Sequence, residues 1–376
     1  MNQNTNHQDR VFNFSAGPSV LPVSVLEQVS REMLCLPGAG VSILELGHRT
    51  PPFKKILSDT VSRLRAILNV PAEYDIFFVQ GGGRLIFSVM PMNFCLPGTV
   101  GEYLVTGSWG DCAYQEALRS GQGRLVWSGQ ESGYSTVPSR DQWTSGRDAA
   151  YLHCTSNETI EGVQFPTDVD SLLENAPPLV CDMSSDFLSR PVDVSRYAMI
   201  YACIQKNLGP AGATVVIAKR EFLERASEKV PGYCRLLNHA EGDLMYNTPP
   251  TFCIYVANLV LRWLEETFGD LATIEQFNEL KSGLVYEALL RRPELFRLHA
   301  HEVCRSKMNV TFRLPTPELE KRFLQESEAN GLAFLAGHRS VGGMRASLYN
   351  AMPIAGAEAL AKFITKWVAS PLAAGG

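Results

Sequence analysis

Two residues frame the chemistry this sequence could perform. Lys206 follows the apolar run AMIYACI (198–204), precedes a Gly/Pro-rich turn, and is the only charged residue between Arg196 and Lys219. An ammonium is costly to desolvate, so a lysine in such surroundings calls for an explanation. Either it pairs with an acid, or burial lowers its pKa and frees the amine as nucleophile and base, the condition for a Schiff-base lysine. Asp182 closes another apolar run, PLVCDM (178–183), with Ser184 and Ser185 following. A carboxylate there needs a partner: a helix N-terminus, Lys206 itself, or a cationic ring nitrogen.

Three further stretches stand after apolar runs. YDIFFVQ (74–80) leads into GGGR (81–84), where consecutive glycines turn N–H groups toward an anion at a helix start. It is neither a P-loop nor a dinucleotide fingerprint, and alone it reads equally as a plain glycine turn. EYLVTG (102–107) leads to Trp109, and AAYLHC (149–154) leads to Asn157, Glu158 and Thr159. Taken singly, the tryptophan reads as packing and the polar trio as a capped turn. Taken together, an anion cradle, an aromatic plate, a strand-end acid and a strand-end lysine suit pyridoxal 5'-phosphate. The acid would keep the ring nitrogen protonated, and the lysine would form the imine and move the proton at the substrate Cα.

These groups need a scaffold. Seven short apolar runs have strand length and β-branched or aromatic content: those at 74–80, 102–107, 149–154, 178–183 and 198–204, with RLVWSG (124–129) and ATVVIAK (213–219). Helical patterns lie at 23–36, 53–70, 109–121 and 168–176. Buried strands alternating with helices predict an α/β domain with a mostly parallel sheet, whose ligands sit beyond the carboxyl ends of the strands. After residue 252, helical patterns at 252–268, 272–291, 317–330 and 355–369 surround strand candidates at 308–314 and 344–350, which reads as a smaller α+β domain.

Composition sets the limits. The chain has 376 residues, enough for two domains, with 45% hydrophobic and 19% charged residues. A net charge of −5 argues against nucleic acid or an anionic membrane as partner. The N-terminus, MNQNTNHQDR, lacks the apolar core of a signal peptide, and no run reaches the length of a membrane span. Nine scattered cysteines, none in CxxC spacing, suggest neither a disulfide framework nor a metal site and fit a reducing cytoplasm.

From VFNFSAGPSVLP (11–22) to SLYNAMP (347–353), the chain resembles the phosphoserine aminotransferase family, within class-V, fold-type I pyridoxal-phosphate enzymes. The motifs carrying the resemblance are ELGHRT, QGGGR, NETIEG, DMSSDFLSRPVDVSRY, QKNLGPAG, YNTPPTF and GHRSVGGMRASLYNAMP. Residues 1–10 are polar with nothing to bury and read as a disordered extension, followed by a large cofactor-binding α/β domain over 11–262 and a small C-terminal α+β domain over 263–376. The implied reaction moves an amino group from L-glutamate to 3-phosphohydroxypyruvate, giving O-phospho-L-serine and 2-oxoglutarate in serine biosynthesis. Bacterial relatives also act on the 4-phosphohydroxy-L-threonine intermediate of pyridoxine biosynthesis.

Carried over residue by residue, the resemblance makes Lys206 the imine lysine and Asp182 the partner of the pyridine nitrogen. Gly83, Arg84 and Gln205 would hold the cofactor phosphate, Trp109 would stack on the ring, and Thr159 would touch the cofactor. Asn247 and Thr248 would reach the cofactor of the other subunit of a homodimer. Arg345 would clamp the α-carboxylate, while His48, Arg49, Arg84, His338 and Arg339 would meet the substrate phosphate or the glutamate γ-carboxylate. Three departures stand out: Ile86 where relatives have glutamine, and the bulkier Cys203 and Ile204 before the lysine. Ala16 stands where some relatives have serine. Competing readings are a serine–pyruvate type aminotransferase, a cysteine desulfurase of the same fold, and a non-catalytic scaffold. The first differs by accepting pyruvate. The second needs a cysteine on a mobile loop. The third predicts loss of Lys206, Asp182 or Arg345, all of which are present.

Overall fold

In the computed structural model of the chain, residues 10–166, 176–241 and 244–368 are described. The expected polar extension, apart from Arg10, and the helix expected at 168–176, apart from Ala176, lie outside them.

The seven apolar runs form one sheet. Its strands are β1 (Tyr74–Gln80), β2 (Val100–Val105), β3 (Gly123–Ser128), β4 (Ala149–Thr155), β5 (Leu179–Asp182), β6 (Met199–Cys203) and β7 (Ala213–Lys219). Their order across the sheet is β1-β7-β6-β5-β4-β2-β3, with β7 antiparallel to both neighbours and the remaining pairs parallel. Apart from the partly exposed edge strand β3, the continuous apolar character of the runs follows from burial on both faces. Side chains alternate between two cores, as a period of two demands. Ile76, Phe78, Leu152, Cys154, Ile200 and Ala202 face a core shared with helices Pro51–Ile67 and Thr251–Phe268. Phe77, Val79, Tyr151, Tyr201 and Val216 face the other, with helices Gly83–Phe94 and Ser108–Arg119.

A second, smaller layer follows. Its sheet is antiparallel: β8 (Arg297–Leu298), β9 (Asn309–Arg313) and β10 (Met344–Ser347), in the order β8-β9-β10. Phe296, Phe312, Phe323 and Trp367 pack edge-on or tilted at its centre. Each buried aromatic of this kind contributes about 1.5–3 kcal/mol relative to exposure. The layer recruits the start of the chain, because Phe12–Asn13 pairs in parallel with Leu332–Ala333 and Phe14 joins its core.

Position 262/263 falls inside the Thr251–Phe268 helix, whose Leu261 and Leu264 both belong to the large core. The core changes hands within the next helix, Leu271–Leu290. Leu271 and Ile274 pack with the larger layer, Val285 and Leu289 with the smaller.

Between the layers runs a buried polar seam. Asn207 Oδ1 accepts the Asn350 N–H at 3.0 Å. Asn278 Nδ2 donates to Asn350 Oδ1 and to the Ser189 carbonyl at 2.9 and 3.1 Å. Lys281, fully buried, donates to the Leu348 and Tyr349 carbonyls at 3.0 and 2.7 Å. The Tyr349 hydroxyl donates to the Ala16 carbonyl at 2.8 Å, so the contact at Ala16 is made by its backbone. Most of the polar atoms in this seam find a partner, Asn278 Oδ1 being an exception, and that pairing is what makes such a seam tolerable in a core.

Candidate active site

The parallel strands end at one edge of the sheet, and the candidate residues stand at or just past those ends. β1 delivers Gly82 and Gly83, which open the Gly83–Phe94 helix. β2 delivers Trp109 in the first turn of the Ser108–Arg119 helix. β4 delivers Thr155, Asn157 and Thr159, β5 delivers Asp182, and β6 delivers Cys203, Gln205 and Lys206. These residues line one cavity of about 320 Å3, together with Arg84, Phe87, Ser184 and Ser185.

Lys206 Nζ donates to Thr159 Oγ1 at 2.6 Å, and the turn carrying it is pinned by Ser19, whose hydroxyl donates to the Lys206 carbonyl. Asp182 is buried and accepts the Ser184 N–H on Oδ1 at 2.8 Å. Burial raises its pKa, and the Lys206 charge and the Ser184 bonds oppose that rise. A second cation, such as a protonated ring nitrogen, would act in the same sense as Lys206. The Arg84 guanidinium lies 5.7 Å over the Trp109 ring, a cation–π contact at the cavity wall.

The donor set fits pyridoxal phosphate. The Thr155 hydroxyl and the Asn157 side-chain carbonyl are buried without a hydrogen-bond partner, and both residues line this cavity. Buried polar atoms rarely stay single, so such orphans mark where a polar ligand belongs. An anion cradle, an aromatic plate, a buried acid and an amine then meet the four demands of the cofactor. A larger cavity of about 490 Å3 lies between the start of the chain and Trp263, Phe268, Phe277 and Met352, but its lining holds no carboxylate and no lysine. No metal-binding cluster of His, Cys, Asp or Glu occurs among the described residues.

Of the expected site residues, Gly83, Arg84, Trp109, Thr159, Asp182, Gln205 and Lys206 all line the cavity. The others do not. Asn247 donates to Gln80 Oε1 at 2.8 Å and the Thr248 carbonyl accepts from Gln80 Nε2 at 3.0 Å, outside the cavity wall. Arg345 reaches the Thr159 carbonyl at 3.4 Å, and burial lowers its pKa. His338 bonds Ser340 at 2.7 Å, and Arg339 and Arg49 are exposed.

The departures resolve differently. Ile86 is a fully buried core residue and Ile204 likewise, so neither faces the cavity. Cys203 does face it, and its Sγ accepts the Gly83 N–H at 2.9 Å. Phe87 and Thr155 were not singled out from sequence. Thr155 could have been found as the last residue of its strand, and Phe87 as the residue one helical turn after Gly83.

The class-V aminotransferase family model matches residues 11–360. A phosphoserine aminotransferase of Rhodopirellula baltica is 47% identical over 362 residues, covering 96% of each chain. The solved phosphoserine aminotransferase of Bacillus circulans subsp. alkalophilus superposes with a TM-score of 0.92 at 42% identity, covering 96% of this chain and 98% of that one. A phosphoserine aminotransferase solved to follow radiation damage of its Schiff base superposes with a TM-score of 0.92 at 41% identity, covering 95% and 98%.

Proposed function

The chain belongs to the class-V aminotransferase family, and on that premise we propose that it is a phosphoserine transaminase. It is a pyridoxal-phosphate-dependent enzyme that moves the amino group of L-glutamate to 3-phosphohydroxypyruvate. One observation carries the reading: Lys206 and Asp182 line a single cavity that the Gly82–Gly83 anion cradle also lines.

When bound, pyridoxal phosphate supplies the carbonyl that receives the amino group and the electron sink for the bond broken at the substrate Cα. The protein does the rest. Asp182 holds a proton on the ring nitrogen. Thr159 aims the Lys206 amine, which takes the proton from the Cα of the amino donor and returns one to the Cα of the product. Gly83, Arg84 and Gln205 hold the phosphate end, and Trp109 bears on the ring. Arg345, held against the Thr159 carbonyl, clamps the α-carboxylate, while His48, Arg49, Arg84, His338 and Arg339 receive the distal anion.

We place the enzyme in the cytoplasm as a homodimer in which Asn247 and Thr248 of one protomer reach the cofactor phosphate of its partner. Nine free thiols and the exposed Tyr246 and Thr248 support this. No helix among the described residues is long and apolar enough to cross a membrane. The 4-phosphohydroxy-L-threonine intermediate of pyridoxine biosynthesis is a second substrate of the same site. Glutamate alone should bleach the visible absorbance of the holoenzyme, 3-phosphohydroxypyruvate should restore it, and pyruvate should not. Lys206→Ala should fold normally and lose nearly all turnover. Restoration by pyruvate, or wild-type turnover in Lys206→Ala, would refute the reading.

A further inference from the structure

The turn from Asn157 to Gly162 touches Lys206, Arg345 and the start of the helix that carries Trp109. Its Thr159 hydroxyl accepts from Lys206 at 2.6 Å, and its Thr159 carbonyl accepts from Arg345 at 3.4 Å. Asn157 Nδ2 donates to Ser185 Oγ and Asn309 Oδ1, both at 2.8 Å. The Glu161 carbonyl accepts from Thr311 Oγ1 at 2.6 Å, on the small sheet that carries Arg345. Two side chains of this turn are left over, Glu158 and Glu161, and both are buried.

They reach the start of the helix that carries Trp109. A helix leaves its first N–H groups without internal partners, and a Ser, Thr, Asp or Asn at the N-cap normally accepts one. Here the N-cap is Gly107, which has no side chain to offer. Glu158 Oε2 accepts the Trp109 N–H and Oε1 the Gly110 N–H, both at 2.9 Å. Glu161 Oε1 accepts the Ser108 N–H at 3.1 Å and also the Ser108 hydroxyl. An ordinary cap does not fit beside them: a Cβ on Gly107 would lie 2.5 Å from the Glu158 side chain, and one on Gly110 3.0 Å from its Oε1. The cap is therefore brought in from beyond the carboxyl end of the neighbouring strand, β4.

The two carboxylates are not equivalent. Both oxygens of Glu158 receive a backbone N–H, whereas Glu161 Oε2 is buried without a partner. Burial raises the pKa of both groups. The geometry differs all the same: the two backbone N–H groups occupy both oxygens of Glu158, whereas the Ser108 N–H and hydroxyl both sit on Oε1 of Glu161.

We propose that Glu158 is a positioning residue for Trp109, seconded by Glu161: the turn that aims Lys206 also caps the helix bearing the aromatic plate, so plate and amine are held in one register. The inference rests on the reading of the cavity as a pyridoxal-phosphate site. It predicts an asymmetry. In Glu158→Gln the amide nitrogen faces a backbone N–H and one cap bond is lost. In Glu161→Gln the amide nitrogen takes the place of the orphaned Oε2 and both bonds survive.

The test uses full-length protein stripped of cofactor. Hydrogen exchange over residues 107–112 and the dissociation constant for pyridoxal phosphate are measured for the wild type and both variants. Leaving one buried N–H without its acceptor predicts roughly a tenfold or greater rise in both exchange rate and dissociation constant for Glu158→Gln. The exchange change should be confined to that segment, which a general loss of stability would not produce. Glu161→Gln should stay within about twofold of wild type on the same argument. Wild-type affinity in Glu158→Gln, or equal losses in both variants, overturns the proposal. A wild type that binds no pyridoxal phosphate overturns the reading of the site and the proposal with it. Should Glu158→Gln fail to fold, Gly110→Ala carries the test, because its Cβ pushes Oε1 aside while leaving the carboxylate in place.

Discussion

Acidifying the protein from pH 7 to pH 5 should cost about 2 kcal/mol of stability through a single imidazole. His153 lies on β4 two residues before Thr155, on the same face of the sheet, and is 2% exposed. Its Nε2 is 2.8 Å from the Tyr201 hydroxyl, Phe87 meets it edge-on, and its Nδ1 has no partner. Burial alone, with no acid to offset it, drops its pKa from 6.5 to about 3. An unfolded histidine titrates near 6.5, so below that pH the unfolded chain takes up a proton that the folded chain refuses. The stability this neutral ring provides is thus fully present above about pH 6.5 and is lost progressively as pH falls toward 3. At pH 5, about 1.5 units below the unfolded value, the loss is about 1.4 kcal/mol per unit, or about 2 kcal/mol. His153→Gln keeps a polar group for Tyr201 and removes the titration. Denaturant unfolding at pH 7 and pH 5, at fixed protein concentration and ionic strength, gives the two differences. The wild type should lose about 2 kcal/mol more than the variant, since every other titrating group is common to both. Equal losses would show that the ring accepts a proton where it lies, and would refute the reasoning from burial.

Two further outcomes bear on the site. Cys203→Ala frees the Gly83 N–H that the thiol now occupies, so pyridoxal phosphate should bind roughly two- to fivefold more tightly, the worth of one weak hydrogen bond. A titration showing unchanged or weaker binding would mean that this N–H does not serve the phosphate. Arg345→Ala should lower kcat/KM roughly ten- to a hundredfold for both glutamate and the phosphorylated keto acid, because each carries an α-carboxylate. A loss confined to one substrate in steady-state kinetics would remove Arg345 from that role.

The scaffold was legible because burial on both faces writes itself into the strands. YDIFFVQ and ATVVIAK coincide with β1 and β7 residue for residue, and the remaining runs differ by one or two positions at their ends. Strand order was not legible, nor was the reversal of β7, because an antiparallel strand in the middle of a sheet is as apolar as a parallel one. Lys206 and Asp182 could be found because a charge after an apolar run is conspicuous. Glu158 and Glu161 escaped a role because their partners are backbone N–H groups some fifty positions away, and a glycine at a cap position gives no sign of who replaces its side chain. Cys203 looked like mere bulk; only the geometry showed its sulfur on a cradle N–H. Lys281 attracted no notice in a helical stretch, because its partners are two carbonyls, which carry no sequence signal.

The polar seam between the layers also sets a clock on synthesis. The residue beside Lys206, Asn207, accepts from Asn350, which is translated 143 positions later, and Ala16 waits for Tyr349 across 333. At roughly 5–20 residues per second, the lysine turn leaves the ribosome on the order of ten to thirty seconds before its brace exists. A nascent chain can complete most of its large sheet in that interval, with Ser19 and Thr159 already in place around the lysine turn but without the bond from Asn350. Messages that stall or end ahead of codon 350 would therefore yield a nearly complete sheet whose lysine turn lacks its tie to the smaller layer.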